Sequence, residues 1–166
     1  MAYRVTKTYG HELGLSACFR QPRATSHCRF LHGYALGFKF VFESDTLDEN
    51  GWVLDFGGLK PLKQWLVDTF DHKLLIATDD PYAIHLQESL CFHGEPLLAD
   101  MIVVPKVGCE SFAGMAYDAA FRFLPEQLGR IEIINGVLTP VGGVVRLIEV
   151  ECREHAGNAA SYMGGQ

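Results

Sequence analysis

The stretch that most strongly indicates the fold is Cys28-Arg-Phe-Leu-His-Gly-Tyr-Ala-Leu-Gly-Phe-Lys-Phe-Val-Phe-Glu43. In its second half, large apolar side chains alternate with small or charged ones, at Leu36, Phe38, Phe40 and Phe42. Because successive side chains of a strand point to opposite faces of a sheet, this alternation predicts a half-buried strand. Residues 3–18 are also rich in strand-forming side chains. We expect the two strands to pair antiparallel, joined by a polar loop over residues 21–28.

Two helices are predicted after this strand pair. The first follows Asp55, a residue type that caps helix N-termini, and its apolar stripe is Leu59, Leu62, Leu66 and Phe70. Pro61 fits this helix only in the first turn, where proline is tolerated. The second helix has its apolar positions between Phe112 and Phe123 and is closed by Pro125. Residues 74–108 have no regular pattern, and we expect them to be irregular.

The C-terminal third predicts two more strands, over residues 130–134 and 143–154, with a turn near Asn135-Gly136 between them. The resulting order is ββααββ. It fits an α+β fold in which a four-stranded antiparallel sheet carries two helices on one face. The chain has 166 residues, 48% of them apolar, which is enough for one hydrophobic core, so we treat residues 1–166 as one domain.

Composition argues against several classes of function. The formal charge is -6, and no run of Lys or Arg forms the basic stripe that a phosphate backbone requires, so we expect no nucleic acid partner. No segment approaches the ~18 apolar residues of a membrane span, and the first residues lack the apolar core of an export signal. We therefore expect a cytoplasmic protein without a membrane partner. Its five cysteines are dispersed and odd in number, which favours reduced thiols.

The first candidate site is the triplet His32-Gly-Tyr34. Side chains two apart on a strand share a face, which is how a His-x-His triplet places two imidazoles on one metal ion. Cys28, four residues upstream, could reach the same pocket from the loop. The alternative is that His32 and Tyr34 are ordinary strand residues.

The second candidate is the pair Asp71-His72, which directly follows the first helix. A carboxylate beside an imidazole holds it in one tautomer and raises its basicity, so the pair could move protons. The alternative is a histidine that simply suits the helix dipole. Glu154, at the end of the last strand, could accept two parallel N–H bonds from a ligand, or it could be a solvated strand-end residue.

Together these segments resemble the 6-pyruvoyl-tetrahydropterin synthase and 6-carboxytetrahydropterin synthase family. Its members carry a C-x-x-L-H-G-H segment, a G-W-V-x-D-F-x-x-L-K stretch, a D-H pair and a late glutamate. In this chain they correspond to residues 28–34, residues 51–60, Asp71-His72 and Glu154, in the same order and at similar separations. Residues 74–108 have no counterpart in the shortest members.

The resemblance implies the tunnelling fold, in which ββααββ units assemble into trimeric barrels that stack in pairs as hexamers. The pockets then lie between subunits. Members act on 7,8-dihydroneopterin triphosphate, eliminating triphosphate and, in the carboxy-forming branch, the rest of the side chain as acetaldehyde. By position, Cys28 would be the proton-transferring thiolate, Asp71 and His72 a second acid-base relay, and Glu154 the anchor of the pterin ring. A bound zinc would polarise the substrate oxygens.

The resemblance is broken at the zinc site. The family binds zinc with one histidine on the first strand and two in the H-G-H triplet, whereas this chain has Cys18 near the first position and Tyr34 at the last. One interpretation keeps zinc, bound by Cys18, His32 and a third group such as His27 or His11. A Tyr34 phenol is a poor ligand because its ordinary pKa is about 10. The other interpretation is a pocket without metal and with lost or altered catalysis.

A second departure lies where the family often has a P-T-S-E-type segment opening the second helix. Cys109 and Glu110 occupy that place, with the acid shifted, and are candidates for contacts to the pterin ring. The leading hypothesis is a pterin-directed lyase of the carboxytetrahydropterin synthase type, on the route to queuosine or another deazapurine. The rival is a metal-free protein that binds pterins or purines. A third possibility is a purely structural oligomer in which Cys28 and His72 are core residues.

Overall fold

The computed structural model describes residues 1–89, 91–92, 94–96, 100–128, 130–134, 137–141 and 145–164. Its elements are, in chain order, strands β1 (Tyr3–Tyr9), β2 (Leu15–Phe19) and β3 (His32–Ser44), helix α1 (Lys60–Phe70), strand β4 (Lys73–Ala77), helix α2 (Ala83–Ser89), strands β5 (Cys91–Phe92), β6 (Glu95–Pro96) and β7 (Asp100–Val104), helices α3 (Cys109–Phe123) and α4 (Pro125–Leu128), and strands β8 (Arg130–Ile134), β9 (Val137–Val141), β10 (Arg146–His155) and β11 (Asn158–Met163).

The long strand β3 is the centre of a seven-stranded sheet ordered β11-β10-β3-β2-β4-β7, with β1 also on β3. Strands β1 and β2 pair antiparallel with successive halves of β3, from Tyr3 opposite Ser44 to Phe19 opposite His32. Strand β10 pairs antiparallel with the other edge of β3 and with β11. The predicted strand over residues 34–43 is therefore confirmed, and the sheet and its helices confirm the α+β class.

Three strands of the sheet, β4, β7 and β11, were not expected. Residues 74–108 contain most of β4 and all of β7. Strand β4 pairs parallel with β2, and β7 pairs parallel with β4, so the prediction of an irregular segment is wrong. Strand β4 includes the continuous apolar run Leu74-Leu-Ile-Ala77, and all four of these side chains are buried. A parallel strand covered on both faces lacks the alternation by which exposed strands are found in a sequence.

The number and bounds of the strands at both ends of the chain also differ from the prediction. The expected strand over residues 3–18 is divided into β1 and β2 by a 3₁₀ turn at His11–Leu13. The two strands predicted over residues 130–134 and 143–154 correspond to β8 and β10, but a further strand lies between them in the chain: β8 pairs with β9, and β10 pairs with β3 and β11. Strand β11 begins with small residues, which carry no apolar alternation. The predicted turn at Asn135-Gly136 lies outside the described residues.

The hydrophobic core lies between one face of this sheet and helices α1 and α3. Helix α1 begins with Pro61 in its first turn and buries Leu62, Leu66 and Phe70, as its apolar stripe predicts. Phe70 packs against Phe38 of β3 and Phe112 of α3, with ring centroids 4.9 and 5.3 Å apart. Phe112 also contacts Phe19, at 5.2 Å, so the aromatic core reaches the end of β2. Within the described residues, no helix is long and apolar enough to span a membrane.

Candidate functional site

A cavity of about 470 Å³ lies where β2 ends and β3 begins. Its walls come from these strands, the Cys28 turn, the start of α3 and the β10–β11 hairpin. Seven residues singled out in the sequence line it, namely His27, Cys28, His32, Tyr34, Cys109, Glu110 and Glu154. Four others, His11, Cys18, Asp71 and His72, do not.

Cys28 is held in a 3₁₀ turn over His27–Arg29. The Ser26 hydroxyl oxygen caps this turn and accepts from the Cys28 backbone N–H at 3.4 Å. Gln21 fixes the turn from the other side, because its backbone N–H donates to the Cys28 carbonyl oxygen at 2.8 Å. The Gln21 side chain Nε2 donates in turn to the Val107 carbonyl oxygen at 2.7 Å. Gln21 thus connects the Cys28 turn to the segment that enters α3.

His32 and Tyr34 share the cavity face of β3 and contact each other. Nδ1 of His32 lies 2.6 Å from the Phe30 carbonyl oxygen, and Nε2 lies 3.1 Å from the Tyr34 hydroxyl oxygen. A carbonyl oxygen only accepts, so Nδ1 carries the hydrogen. Nε2 of the neutral ring is then an acceptor, and the Tyr34 hydroxyl donates to it.

Tyr34 also lies within the electrostatic influence of the other cavity groups. Burial raises its pKa above the ordinary value, and negative charge on Glu154, Cys28 or Cys109 raises it further. The phenol is therefore protonated at neutral pH. It acts as a neutral hydrogen-bonding group on the cavity wall.

The residue that faces His32 from β2 is Phe19. Phe19 lies opposite His32 in the ladder, with ring centroids 6.0 Å from His32 and 5.5 Å from Tyr34. Cys18 instead lies opposite Gly33. Since adjacent strand residues point to opposite faces, Cys18 and His32 lie on different faces of the sheet. The structure does not bring Cys18 to the cavity, and burial raises the pKa of its thiol.

The start of α3 forms another wall. Cys109 is the first residue of the helix and is buried, and Glu110 follows it in the first turn and is exposed. Gly108 precedes them with φ of 117°, which residues with a Cβ rarely adopt. Behind this wall, Cys152 of β10 is buried, and both the Cys109 thiol and burial raise the pKa of Cys152. Glu154 comes two residues later on β10.

Asp71 and His72 form an oriented pair outside the cavity. Nδ1–H of His72 donates to Oδ1 of Asp71 at 2.8 Å, and the same carboxylate oxygen accepts from the Ser16 backbone N–H at 3.3 Å. The His72 side chain is 77% exposed. Its φ of 54° is the single positive value of a residue other than glycine in the described part of the chain. Such backbone strain occurs preferentially at functional sites.

The donors in this cavity do not match a zinc site. Phe19 and Tyr34 offer no imidazole beside His32, and Cys18 lies on the other face of the sheet. Of the two candidate third ligands, His27 lines the cavity, whereas His11 is bonded through Nδ1 to the Ala35 carbonyl oxygen. Among the residues that the structure describes, no three His, Cys, Asp or Glu side chains are placed to hold one metal ion. The interpretation in which Cys18 and His32 share a zinc within one chain is therefore not supported by the geometry.

Sequence reasoning missed two residues of this site, Gln21 and Phe19. Gln21 was placed in a loop, and its role depends on two tertiary hydrogen bonds that no local pattern reveals. Phe19 could have been found, because it continues the alternation of Leu15 and Ala17, whose side chains are buried. That alternation places Phe19, and not Cys18, on the core face of β2.

Comparison with known proteins points to one family. The family model described as 6-pyruvoyl tetrahydropterin synthase matches residues 10–165. A 6-carboxy-5,6,7,8-tetrahydropterin synthase of Aquifex aeolicus is 26% identical over 151 residues, covering 83% of this chain and 92% of that protein. A protein of the same name from Rickettsia conorii is 39% identical over 54 residues, which are 32% of this chain and 39% of that protein.

Solved structures share the fold over nearly the whole chain. An uncharacterized protein of Wolinella succinogenes superposes with a TM-score of 0.72 at 21% identity, covering 99% of both chains. The 6-pyruvoyl tetrahydropterin synthase of Plasmodium falciparum superposes with a TM-score of 0.61 at 12% identity, covering 97% of this chain and 96% of that one. With the family model matching residues 10–165, the chain belongs to the 6-pyruvoyl tetrahydropterin synthase family.

Proposed function

We propose that the protein is a pterin-directed lyase of the 6-carboxytetrahydropterin synthase type, acting on 7,8-dihydroneopterin triphosphate or a close analogue. The observation that carries the proposal is the cavity in which Cys28, the His32–Tyr34 pair and Glu154 meet. A volume of about 470 Å³ lies within the range of small-molecule sites. The name of the Aquifex aeolicus relative supports the same reaction class.

Glu154 supplies the recognition of the ring. A carboxylate accepts two parallel N–H bonds, and a 2-aminopyrimidinone ring presents such a pair of donors along one edge. Cys109 and Glu110 border the same cavity from the start of α3 and add contacts to the ring. Loss of the Glu154 carboxylate should therefore weaken binding of the bicyclic ring more than binding of its side chain.

Cys28 and the Asp71–His72 pair supply the proton chemistry. Rearranging and cleaving a hydroxylated side chain beside a ring requires a base and an acid at different positions. Cys28 is placed in the cavity, whereas Asp71 and His72 lie outside it on the same chain. We infer that a second copy of the chain supplies the oriented imidazole, in a trimer or a hexamer with sites between subunits. The exposure of His72 fits this role, since its ring is free to reach a neighbouring subunit.

A metal-free homologue that binds pterins or purines without this reaction is the second candidate. It is favoured by Phe19, which faces His32 from β2, and by Tyr34, which stands at the position of a family zinc histidine. Such a protein would bind the ring through Glu154 and leave the side chain intact.

One experiment separates these candidates. Purified protein is incubated with 7,8-dihydroneopterin triphosphate, the products are separated chromatographically, and binding of 7,8-dihydroneopterin is measured by fluorescence. The lyase predicts side-chain cleavage that falls by at least about a hundredfold in Cys28→Ser, as expected for loss of a general acid-base group. Cys18→Ser is the matched control, because Cys18 lies on the other face of the sheet.

The remaining outcomes identify the alternatives. Saturable binding without turnover, lost in Glu154→Ala, supports the binding protein and contradicts the lyase. Neither binding nor turnover would contradict both and favour a structural oligomer.

A further inference from the structure

Three aromatic rings form one group around His32, the one residue that matches a zinc histidine of the family. Phe19, His32 and Tyr34 lie on one face of the β2–β3 pair, with all three centroid separations between 5.1 and 6.0 Å. Phe19 is buried and packs edge-on against Phe112 of α3. Because a phenyl ring has no lone pair to donate, the β2 side chain that faces His32 cannot be a metal ligand.

The nitrogen of His32 that points toward Tyr34 is already in use. Nδ1–H donates to the Phe30 carbonyl oxygen at 2.6 Å, which leaves the Nε2 lone pair as the acceptor of the neutral ring. The Tyr34 hydroxyl lies 3.1 Å from Nε2 and donates to it. A metal ion at this point would need the same lone pair. The hydrogen bonds of His32 and Tyr34 are thus satisfied without a metal ion.

We infer that Tyr34 and His32 form a metal-independent hydrogen-bond relay, in which the Tyr34 oxygen accepts a hydroxyl hydrogen of the ligand and His32 is the terminal base. The identity of the ligand rests on the proposed function, whereas the absence of a metal requirement does not. The phenol oxygen has lone pairs left after donating to Nε2, so it can accept from a side-chain hydroxyl group of a dihydropterin.

The proton transfer along this relay needs no further reactant. The ligand O–H bond breaks and its hydrogen moves to the Tyr34 oxygen, while the original phenol hydrogen moves to Nε2 of His32. The electron pair stays on the ligand oxygen, Tyr34 is unchanged, and His32 becomes an imidazolium bonded to the Phe30 carbonyl oxygen. Hydrogen bonds in such a chain strengthen one another.

Metal content tests the first half of the inference. Wild type, His32→Ala and the double variant Phe19→His with Tyr34→His are each incubated with zinc, desalted and measured by mass spectrometry of the metal. The wild type and His32→Ala should both retain no stoichiometric zinc. The double variant places three imidazoles on one face and should retain about one zinc ion per chain, the number that a three-histidine site binds.

The matched control is Cys18→His with Tyr34→His. It adds the same number of imidazoles, but residue 18 points to the other face of the sheet, so zinc should stay at the wild-type level. Zinc bound stoichiometrically by wild type and lost in His32→Ala would overturn the inference. The comparison of wild type with His32→Ala tests the inference even if the double variant fails to fold. Circular dichroism would show such a failure.

Tyr34→Phe tests the second half. It keeps the ring and removes only the hydroxyl group, so the fold and its unfolding midpoint should change little. With 7,8-dihydroneopterin triphosphate and excess EDTA, we expect wild-type turnover to persist and kcat to fall by at least about tenfold in the variant, with a smaller change in KM. Inhibition of wild type by EDTA, or an unchanged kcat in Tyr34→Phe, would contradict the relay. If wild type turns over no pterin at all, the proposed function fails and the zinc comparison still decides whether the pocket binds metal.

Discussion

His72 donates from Nδ1 to the carboxylate of Asp71 at 2.8 Å while its own backbone is held at a φ of 54°. Only Asp71 and His72 separate the end of α1 from the start of β4, so the chain must reverse within two residues. A left-handed residue achieves this reversal, and glycine or asparagine would do so with less strain than histidine. A histidine at position 72 therefore introduces backbone strain, and the fold alone does not explain why a histidine is present there.

The first prediction follows from this strain. His72→Asn should reduce turnover of 7,8-dihydroneopterin triphosphate by about a hundredfold or more, since it removes a general acid-base group. The free energy of unfolding should stay unchanged or rise by up to about 1 kcal/mol, because asparagine tolerates the left-handed region. Kinetics and urea unfolding measure the two effects. His85→Asn, on the exposed surface of α2, is the control, and retained activity in His72→Asn would contradict the assignment.

A second prediction concerns the origin of the imidazole. If Cys28 and His72 of one site belong to different subunits, Cys28→Ser and His72→Asn are each inactive, but their mixture recovers activity after unfolding and refolding together. A random equal mixture should recover about a quarter of the wild-type activity, because each site needs one intact residue from each of two subunits. Refolding each variant alone is the control. A mixture that stays inactive, although wild type refolds to an active oligomer, would show that the sites do not combine residues in this way.

Gln21 carries a third prediction. Its side chain donates to the Val107 carbonyl oxygen and its backbone donates to the Cys28 carbonyl oxygen, so it connects the two walls of the cavity. Gln21→Ala removes the side-chain bond and should lower kcat by about tenfold, as expected when a reacting group is misplaced by a fraction of an ångström. The free energy of unfolding should fall by only about 1 kcal/mol, the usual net value of one hydrogen bond. Gln87→Ala, on the exposed surface of α2, should leave both quantities unchanged, and equal kinetics in the two variants would exclude a positioning role for Gln21.

The sequence predicted elements whose signals are local. Strand β3 and helix α1 each bury one face and leave the other at least partly accessible, so their apolar periodicity follows their geometry. Strand β4 lacks alternation because its apolar run from Leu74 to Ala77 is buried throughout. The division of strands at the two chain ends depends on pairing partners that are distant in the sequence.

The candidate site shows the same distinction. Cys28, His32, Tyr34 and Glu154 were assigned to one site through motif order, and the structure brings all four to one cavity. The residue of β2 that faces His32 depends on strand register, and a register error of one residue exchanges Phe19 for Cys18. That single exchange changes the predicted chemistry of the wall from a metal ligand to an aromatic ring.

The last prediction concerns a buried ion pair that supports the Cys28 turn. Arg20 donates to both carboxylate oxygens of Asp80, at 2.7 and 2.9 Å, and also to the Arg29 carbonyl oxygen at 3.1 Å. The Asp80 side chain is 1% exposed. Because removing one partner leaves the other charge buried, Asp80→Asn should lower the free energy of unfolding by about 3 kcal/mol. It should also loosen the turn over His27–Arg29 and lower turnover.

The pH dependence of stability gives the same pair an independent signature. Hydrogen bonds from Arg20 hold the pKa of Asp80 below its usual value, so the folded state favours the carboxylate. This stabilisation is present above the unfolded pKa of about 3.9 and is lost as the pH falls through the lower folded pKa. Asp80→Asn should therefore flatten the acid limb of a plot of unfolding free energy against pH. Asp79→Asn, which removes a more exposed partner of Lys106, should cost less than about 1 kcal/mol. An equal loss of unfolding free energy in the two variants would mean that the contribution of the Arg20–Asp80 pair to stability does not depend on its burial.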